Sequence, residues 1–171
     1  MNVKRVLDSL NLFQIRTQLT RHYHGEGPGR TPINPLRVYE ESEAGKMKIS
    51  FSIWNIGEAV GVFDRYLVRG LISDAEFKRA RADIVSESIK MSRLEALSLL
   101  PITYSALAAS WSLAVKHHIC VADALQISSS REAGSDLFLG ADKRLLDAAS
   151  VEGIRVINVE SDPEEALRGI A

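Results

Sequence analysis

The feature that most constrains this chain is the punctuated stretch from Asp136 to Val159. Asp136-Leu-Phe-Leu139 is a compact apolar run of strand length, followed by turn chemistry at Gly140-Ala141-Asp142. Lys143 to Val151 then reads as a helix stopped by Gly153. Ile154 to Val159 (Ile-Arg-Val-Ile-Asn-Val) reads as the last strand. Short strands alternating with helices argue for an α/β layered domain with a mostly parallel sheet flanked by helices.

The rest of the chain follows this pattern. Val3 to Leu7 reads as a strand ending at Asp8-Ser9. Asn11 to about His22 reads as a helix, because Leu12, Ile15 and Leu19 recur at spacings of three and four. Gly25 to Pro35 holds three glycines and three prolines, which predicts a loop. Arg37 to Gly45 is a short helix. Lys48 to Trp54 alternates polar and apolar residues as a strand does, and a helix follows from about Ile56 to Val68.

A long helix begins near Asp74, capped by Ser73 or Asp74, with Phe77, Ile84 and Met91 forming an apolar stripe. That stripe suits a packed helix pair, within the chain or with a partner. Pro101 breaks the element. Tyr104 to about His117 and Ala122 to Glu132 are two further helices, the second closed by Gly134. The expected organisation is one domain over residues 1–160 and a tail over residues 161–171.

At 171 residues the chain is long enough to bury a proper core, and 46 % hydrophobic with 25 % charged residues is a globular profile. No apolar run approaches the roughly 20 residues needed to span a bilayer. The first residues lack the apolar core and cleavage site of a signal peptide, so a cytoplasmic location is expected. The lone Cys120 excludes an intramolecular disulfide framework, and its apolar neighbours predict a small buried side chain. A net charge of −1 leaves a nucleic-acid partner open.

Ligands in open α/β sheets gather beyond the carboxyl ends of the strands. Asp8 ends the first expected strand, Glu58 lies one turn into the helix after the second, and Asp142 follows Asp136–Leu139. Asp123 sits in the first turn of its own helix, where the helix dipole favours an anion. Converging carboxylates repel one another, and the usual remedy is a hard divalent cation such as Mg²⁺ or Mn²⁺. Taken singly, Asp142 and Asp123 also read as ordinary helix-start residues.

Four blocks take the reading further: Val-Leu-Asp8-Ser9, Asn55-Ile-Gly-Glu58, Ala122-Asp123-Ala-Leu125 and Leu139-Gly-Ala-Asp142-Lys-Arg-Leu-Leu. Together they resemble the signature blocks of the PIN domain family, over most of the chain from Val3 to about Val159. The resemblance implies a PIN-like three-layer fold and a metal-dependent ribonuclease, with Asp8, Glu58, Asp123 and Asp142 as catalytic and metal-binding carboxylates. It also implies one or two Mg²⁺ or Mn²⁺ ions, RNA as substrate, a homodimer, and an antitoxin partner of the kind that restrains VapC-like toxins. Two departures stand out. Gly140 occupies a place where the family commonly has Thr or Ser, and the segment between Asp8 and Glu58 is long.

The remaining features point less sharply. His22 and His24, or His117 and His118, could bind zinc, but no third ligand is evident. Arg16, Arg21, Arg30, Arg37, Lys46 and Lys48, and a second set of basic residues on the long helix, could hold RNA phosphates or simply face solvent. Trp54 and Trp111 are expected in the core. No phosphate-binding loop of the G-x-x-x-x-G-K-[ST] type is present, which disfavours a nucleoside-triphosphate enzyme. A catalytically silent module of the same fold, and a metal-dependent phosphatase, are the rival readings.

Overall fold

The computed structural model of the chain describes residues 17–20 and 35–158. In order these residues form β1 (Thr17–Thr20), α1 (Pro35–Glu43), β2 (Lys48–Ser52), α2 (Ile53–Val68), α3 (Asp74–Arg93) and β3 (Leu97–Leu100). Then come α4 (Tyr104–His117), α5 (Val121–Glu132), β4 (Leu137–Gly140), α6 (Lys143–Val151) and β5 (Val156–Asn158). The five strands make one sheet in the order β3-β2-β1-β4-β5. The β2–β3 and β4–β5 pairs are parallel, while β1 is antiparallel to both β2 and β4. The protein is therefore mixed α/β, with four strands running one way and the central strand against them.

Three expectations need correction. The helix expected over Asn11–His22 gives way to strand at Thr17–Thr20, because the backbone there pairs on both sides. Gln18 faces Ser50 on β2 and Phe138 on β4. Pairing between elements overrides a weak local period, and β-branched Thr17 and Thr20 suit extended backbone. The second correction is β3, a strand in what reads from sequence as the end of the long helix. Leu94 caps α3, Glu95 turns the chain at φ 59°, and Leu97–Leu100 then lies parallel to β2. The third concerns β2, expected over Lys48–Trp54 with a helix from about Ile56: the strand ends at Ser52 and α2 starts at Ile53, with Ile49, Ser50, Phe51 and Ser52 all buried. The strand expected at Val3–Leu7, most of the Gly25–Pro35 loop and the tail from 161 lie outside the described residues.

The helices start where their capping chemistry places them. Ser73 and Glu76 form a reciprocal capping box at α3: Ser73 N–H donates to Glu76 Oε2 at 2.9 Å, and Glu76 N–H donates to Ser73 Oγ at 3.3 Å. The bond from Ser73 N–H, with a second from the Ser73 hydroxyl at 2.8 Å, holds the Glu76 carboxyl below its usual range. Ile84 and Met91 of the expected stripe are buried, as is Ala80 beside them, and Phe77 is partly buried. Ala80 and Ile84 pack with Ala59 and Phe63 of α2, so this part of the stripe serves packing within the chain. Among the described residues no helix is long and apolar enough to cross a membrane.

Strand β4 is buried on both faces. Leu137 and Leu139 join a cluster with Ile49, Phe51, Met91, Leu97 and Ile157, while Phe138 points into a second cluster with Leu113, Ile127, Leu145 and Leu146. Alternate side chains point to opposite faces of a strand, so β4 anchors packing on both sides of the sheet. The C-terminal ends of α4, α5 and α6 meet at one carboxylate. Glu152 accepts from Lys116 Nζ at 2.7 Å and from Arg131 Nη1 at 2.9 Å, and lies 2.7 Å from His117 Nε2. The bonds from Lys116 and His117 hold its carboxyl below the ordinary glutamate range.

Candidate functional site

The sheet has a switch point. From β2 the chain moves outward through α2 and α3 to β3, and from β4 it moves outward in the other direction through α6 to β5. Crevices of this kind, outside the carboxyl ends of the strands, are where open α/β sheets bind ligands. Ser50 and Phe138 both face Gln18, so the last residues of β2 and β4, Ser52 and Gly140, are level with each other. One strand separates them, a gap of about 10 Å. Because β1 runs against its neighbours, its first residue, Thr17, lies at this same edge.

Helices α2 and α6 spring from this edge, and α2 meets α5 here. Ser52, fully buried, caps α2 by accepting from Trp54 N–H at 3.3 Å. Glu58 follows on α2, half-buried. Its Oε2 accepts a hydrogen bond from Gln126 Nε2 of α5 at 3.0 Å. Asp123 precedes Gln126 by three residues and so shares its helix face; it too is half-buried. Cys120 caps α5 through its sulfur, which lies 3.4 Å from Asp123 N. This is the reason Cys120 is exposed at a helix start rather than buried as expected. Its thiol is raised above the ordinary range, mainly by the partial burial it does have.

Asp142 is the N-cap of α6 and accepts from Leu145 N–H at 3.2 Å, with the residue exposed at the strand end. Asp8 lies outside the described residues. Glu58, Asp123 and Asp142 thus belong to helices at one corner of the fold, and the bond through Gln126 links two of those helices directly. Among the described residues no group of three or more His, Cys, Asp or Glu side chains is gathered tightly enough to hold a metal ion.

Two amides at the corner have no role in the sequence reading. Gln126 is fully buried on α5 and restrains Glu58. Asn55 is fully buried on α2, three residues before Glu58 and on the same helix face, and both atoms of its amide lack a hydrogen-bond partner among the described residues. The spacings Asn55-x-x-Glu58 and Asp123-x-x-Gln126 carry that signal in the sequence. At Gly140 a Cβ would stand 3.3 Å from Leu146 Cδ2, so a Ser or Thr there would need the leucine side chain to give by a few tenths of an ångström.

The remaining candidates are placed as follows. His117 lies against Glu152, and His118 ends α4 in the left-handed conformation at φ 53°. His22 and His24 are outside the described residues. On α3, Lys78 pairs with Asp74 at 2.7 Å, Arg79 with Asp83 at 3.8 Å, and Lys90 with Glu43 and Glu87. Trp54 and Trp111 are exposed to 43 % and 52 %, not buried as expected. Each sits on the outward side of a helix whose opposite side fills the core: Ala59 and Phe63 on α2, Ala106 and Leu113 on α4. Neither a protein-family model, nor a curated protein, nor a solved structure matches the chain.

Proposed function

We propose that the protein is a metal-dependent endoribonuclease with a PIN-like three-layer fold, hydrolysing RNA phosphodiester bonds at Asp8, Glu58, Asp123 and Asp142. The observation that carries the reading is the Glu58–Gln126 hydrogen bond at the switch point of the sheet. It joins the helix after β2 to the helix bearing Asp123, at the edge where Asp142 ends the β4 turn. The packing of β4 on both faces supports the layered arrangement.

The donor set is oxygen-only, which suits Mg²⁺ or Mn²⁺, and an unpartnered buried amide beside Glu58 fits a site completed by something polar. When bound, such a cation supplies Lewis acidity and lowers the pKa of water at the reacting phosphate. Asp8, Glu58 and Asp123 would hold it, with Asp142 alongside. The chain's own contribution is positional. Gln126 fixes the Glu58 carboxylate, and the Asp142 cap sets the start of α6.

Cleavage of a mixed-sequence labelled RNA with Mn²⁺, Mg²⁺ or EDTA tests the proposal. Metal-dependent cleavage that disappears in Asp8→Asn/Asp123→Asn is the expected result, and cleavage that survives both EDTA and the substitutions refutes it. The same reading implies a homodimer and a protein antitoxin as partners. Light scattering across a concentration series checks the first, and a monomer mass throughout removes it. A second reading, a silent module of the same fold that binds RNA or a protein, is favoured by the engagement of Asp142 as a helix cap. Absence of cleavage together with absence of Mn²⁺ binding would select it.

A further inference from the structure

Asn55 is the least satisfied polar side chain of the corner. It is 0 % exposed, and neither its amide nitrogen nor its amide oxygen has a hydrogen-bond partner among the described residues. A buried amide left without donor or acceptor contacts destabilises a fold, and native structures complete such groups with an ordered water or a ligand. Further polar side chains stand on the two helices that the Glu58–Gln126 bond joins. Glu58 is three residues on along the same face of α2, and Gln126 reaches that carboxylate from α5. Ser129 and Ser130, three and four residues beyond Gln126 on its face, are also buried with unpartnered hydroxyls.

We infer that Asn55 is a positioning residue for the proposed metal site, its carboxamide holding a water that belongs to the hydration shell of a divalent cation bound at Glu58. The inference rests on the metal-dependent reading above. The chemistry of the amide fits the task. A hydration-shell water donates through its protons and, being polarised by the cation, needs an acceptor; the Asn55 Oδ1 is one that carries no charge to compete with the carboxylates. The amide Nδ2 remains to donate to a carboxylate oxygen or a second water. Because Asn55 is fully buried, it acts on the cation through that water and not on bulk substrate. Mg²⁺ and Mn²⁺ sites commonly keep several waters, so outer partners of this kind have something to hold.

Mn²⁺ alone is the probe, titrated calorimetrically into wild type and Asn55→Ala, with thermal unfolding of each metal-free protein alongside. The expected result is a Kd for Mn²⁺ weakened about 10- to 100-fold, the usual effect of removing an outer partner of a metal ligand. The metal-free Tm should be unchanged or raised, since alanine surrenders no bond made by the chain and suits a helix better. Unchanged Mn²⁺ affinity overturns the inference.

A fall in both Tm and affinity would be ambiguous on its own, so Asn55→Asp decides it. A buried carboxylate there lowers the metal-free Tm, and Mn²⁺ should then raise Tm by more than it does in wild type. An equal or smaller rise overturns the inference. Wild type that binds Mn²⁺ but cleaves no RNA removes the nuclease and leaves Asn55 its role. Wild type that binds no Mn²⁺ removes both.

Discussion

Replacing Glu152 by glutamine should loosen the helix ends behind the candidate site. The carboxylate is only 10 % exposed and receives Lys116 at 2.7 Å, His117 at 2.7 Å and Arg131 at 2.9 Å. The contact with His117 is the dry one, with both side chains at 10 % exposure, whereas Lys116 and Arg131 are 59 % and 55 % exposed. Hydrogen bonds to a charged group contribute about 1.5–3 kcal/mol, and exposed ion pairs only about 0.2–1. A total loss near 2 kcal/mol follows, which for a chain of this size is a drop in Tm of roughly 4–8 °C.

The sign of the pH dependence follows from the lowered carboxyl. A glutamate with a folded pKa below its unfolded value stabilises above that unfolded value, and loses the contribution as pH falls through the folded one. The gap in Tm between wild type and Glu152→Gln should therefore be full near neutral pH and shrink below the ordinary glutamate value of about 4.3. Differential scanning calorimetry over that range reads it directly. A gap that is absent near neutrality, or that persists undiminished at strongly acid pH, would refute the reasoning.

Two further outcomes bear on the core. Gly140→Thr should cost about 1–3 kcal/mol by pressing its Cβ on Leu146, and Leu146→Val should relieve part of that cost; strict additivity in a urea double-mutant cycle would show the contact is idle. Phe138→Ala, at a fully buried position, should lose about 3–5 kcal/mol in urea unfolding, and a loss below about 1.5 kcal/mol would mean the β4 core is not as packed as the structure has it.

Helices with strong stops and starts were readable residue by residue. Tyr104–His117 and Lys143–Val151 match the sequence expectation end for end, because Thr103, Asp142 and Gly153 punctuate them. What local pattern could not supply is pairing. Thr17–Thr20 is a strand because β2 and β4 flank it, and Leu97–Leu100 because β2 lies beside it. A short, mostly apolar run looks alike in a buried helix and a buried strand, so Leu97–Leu100 merged with the helix before it. In the site, the acidic residues were visible as types and spacings. The spacings of Asn55 to Glu58 and of Asp123 to Gln126 were visible too, but the roles of the two amides were not, because those depend on burial and on the presence or lack of a partner.

The reversed middle strand has a consequence for how the chain is assembled. Thr17 and Leu139 are neighbours across the sheet, yet almost the whole described chain lies between them. The pair β4 with β5 closes over a crossover of one helix and the pair β2 with β3 over a crossover of two, whereas β1 must wait for a partner from each pair. Non-local pairing of this kind slows folding, since a long loop has to be closed before its contacts reward it. On a ribosome, β1 emerges before either of its neighbours and is flanked on both sides only after β4 has followed. The earliest described strand thus waits for one of the latest, and joining it to β4 is what brings the two parallel pairs into one sheet.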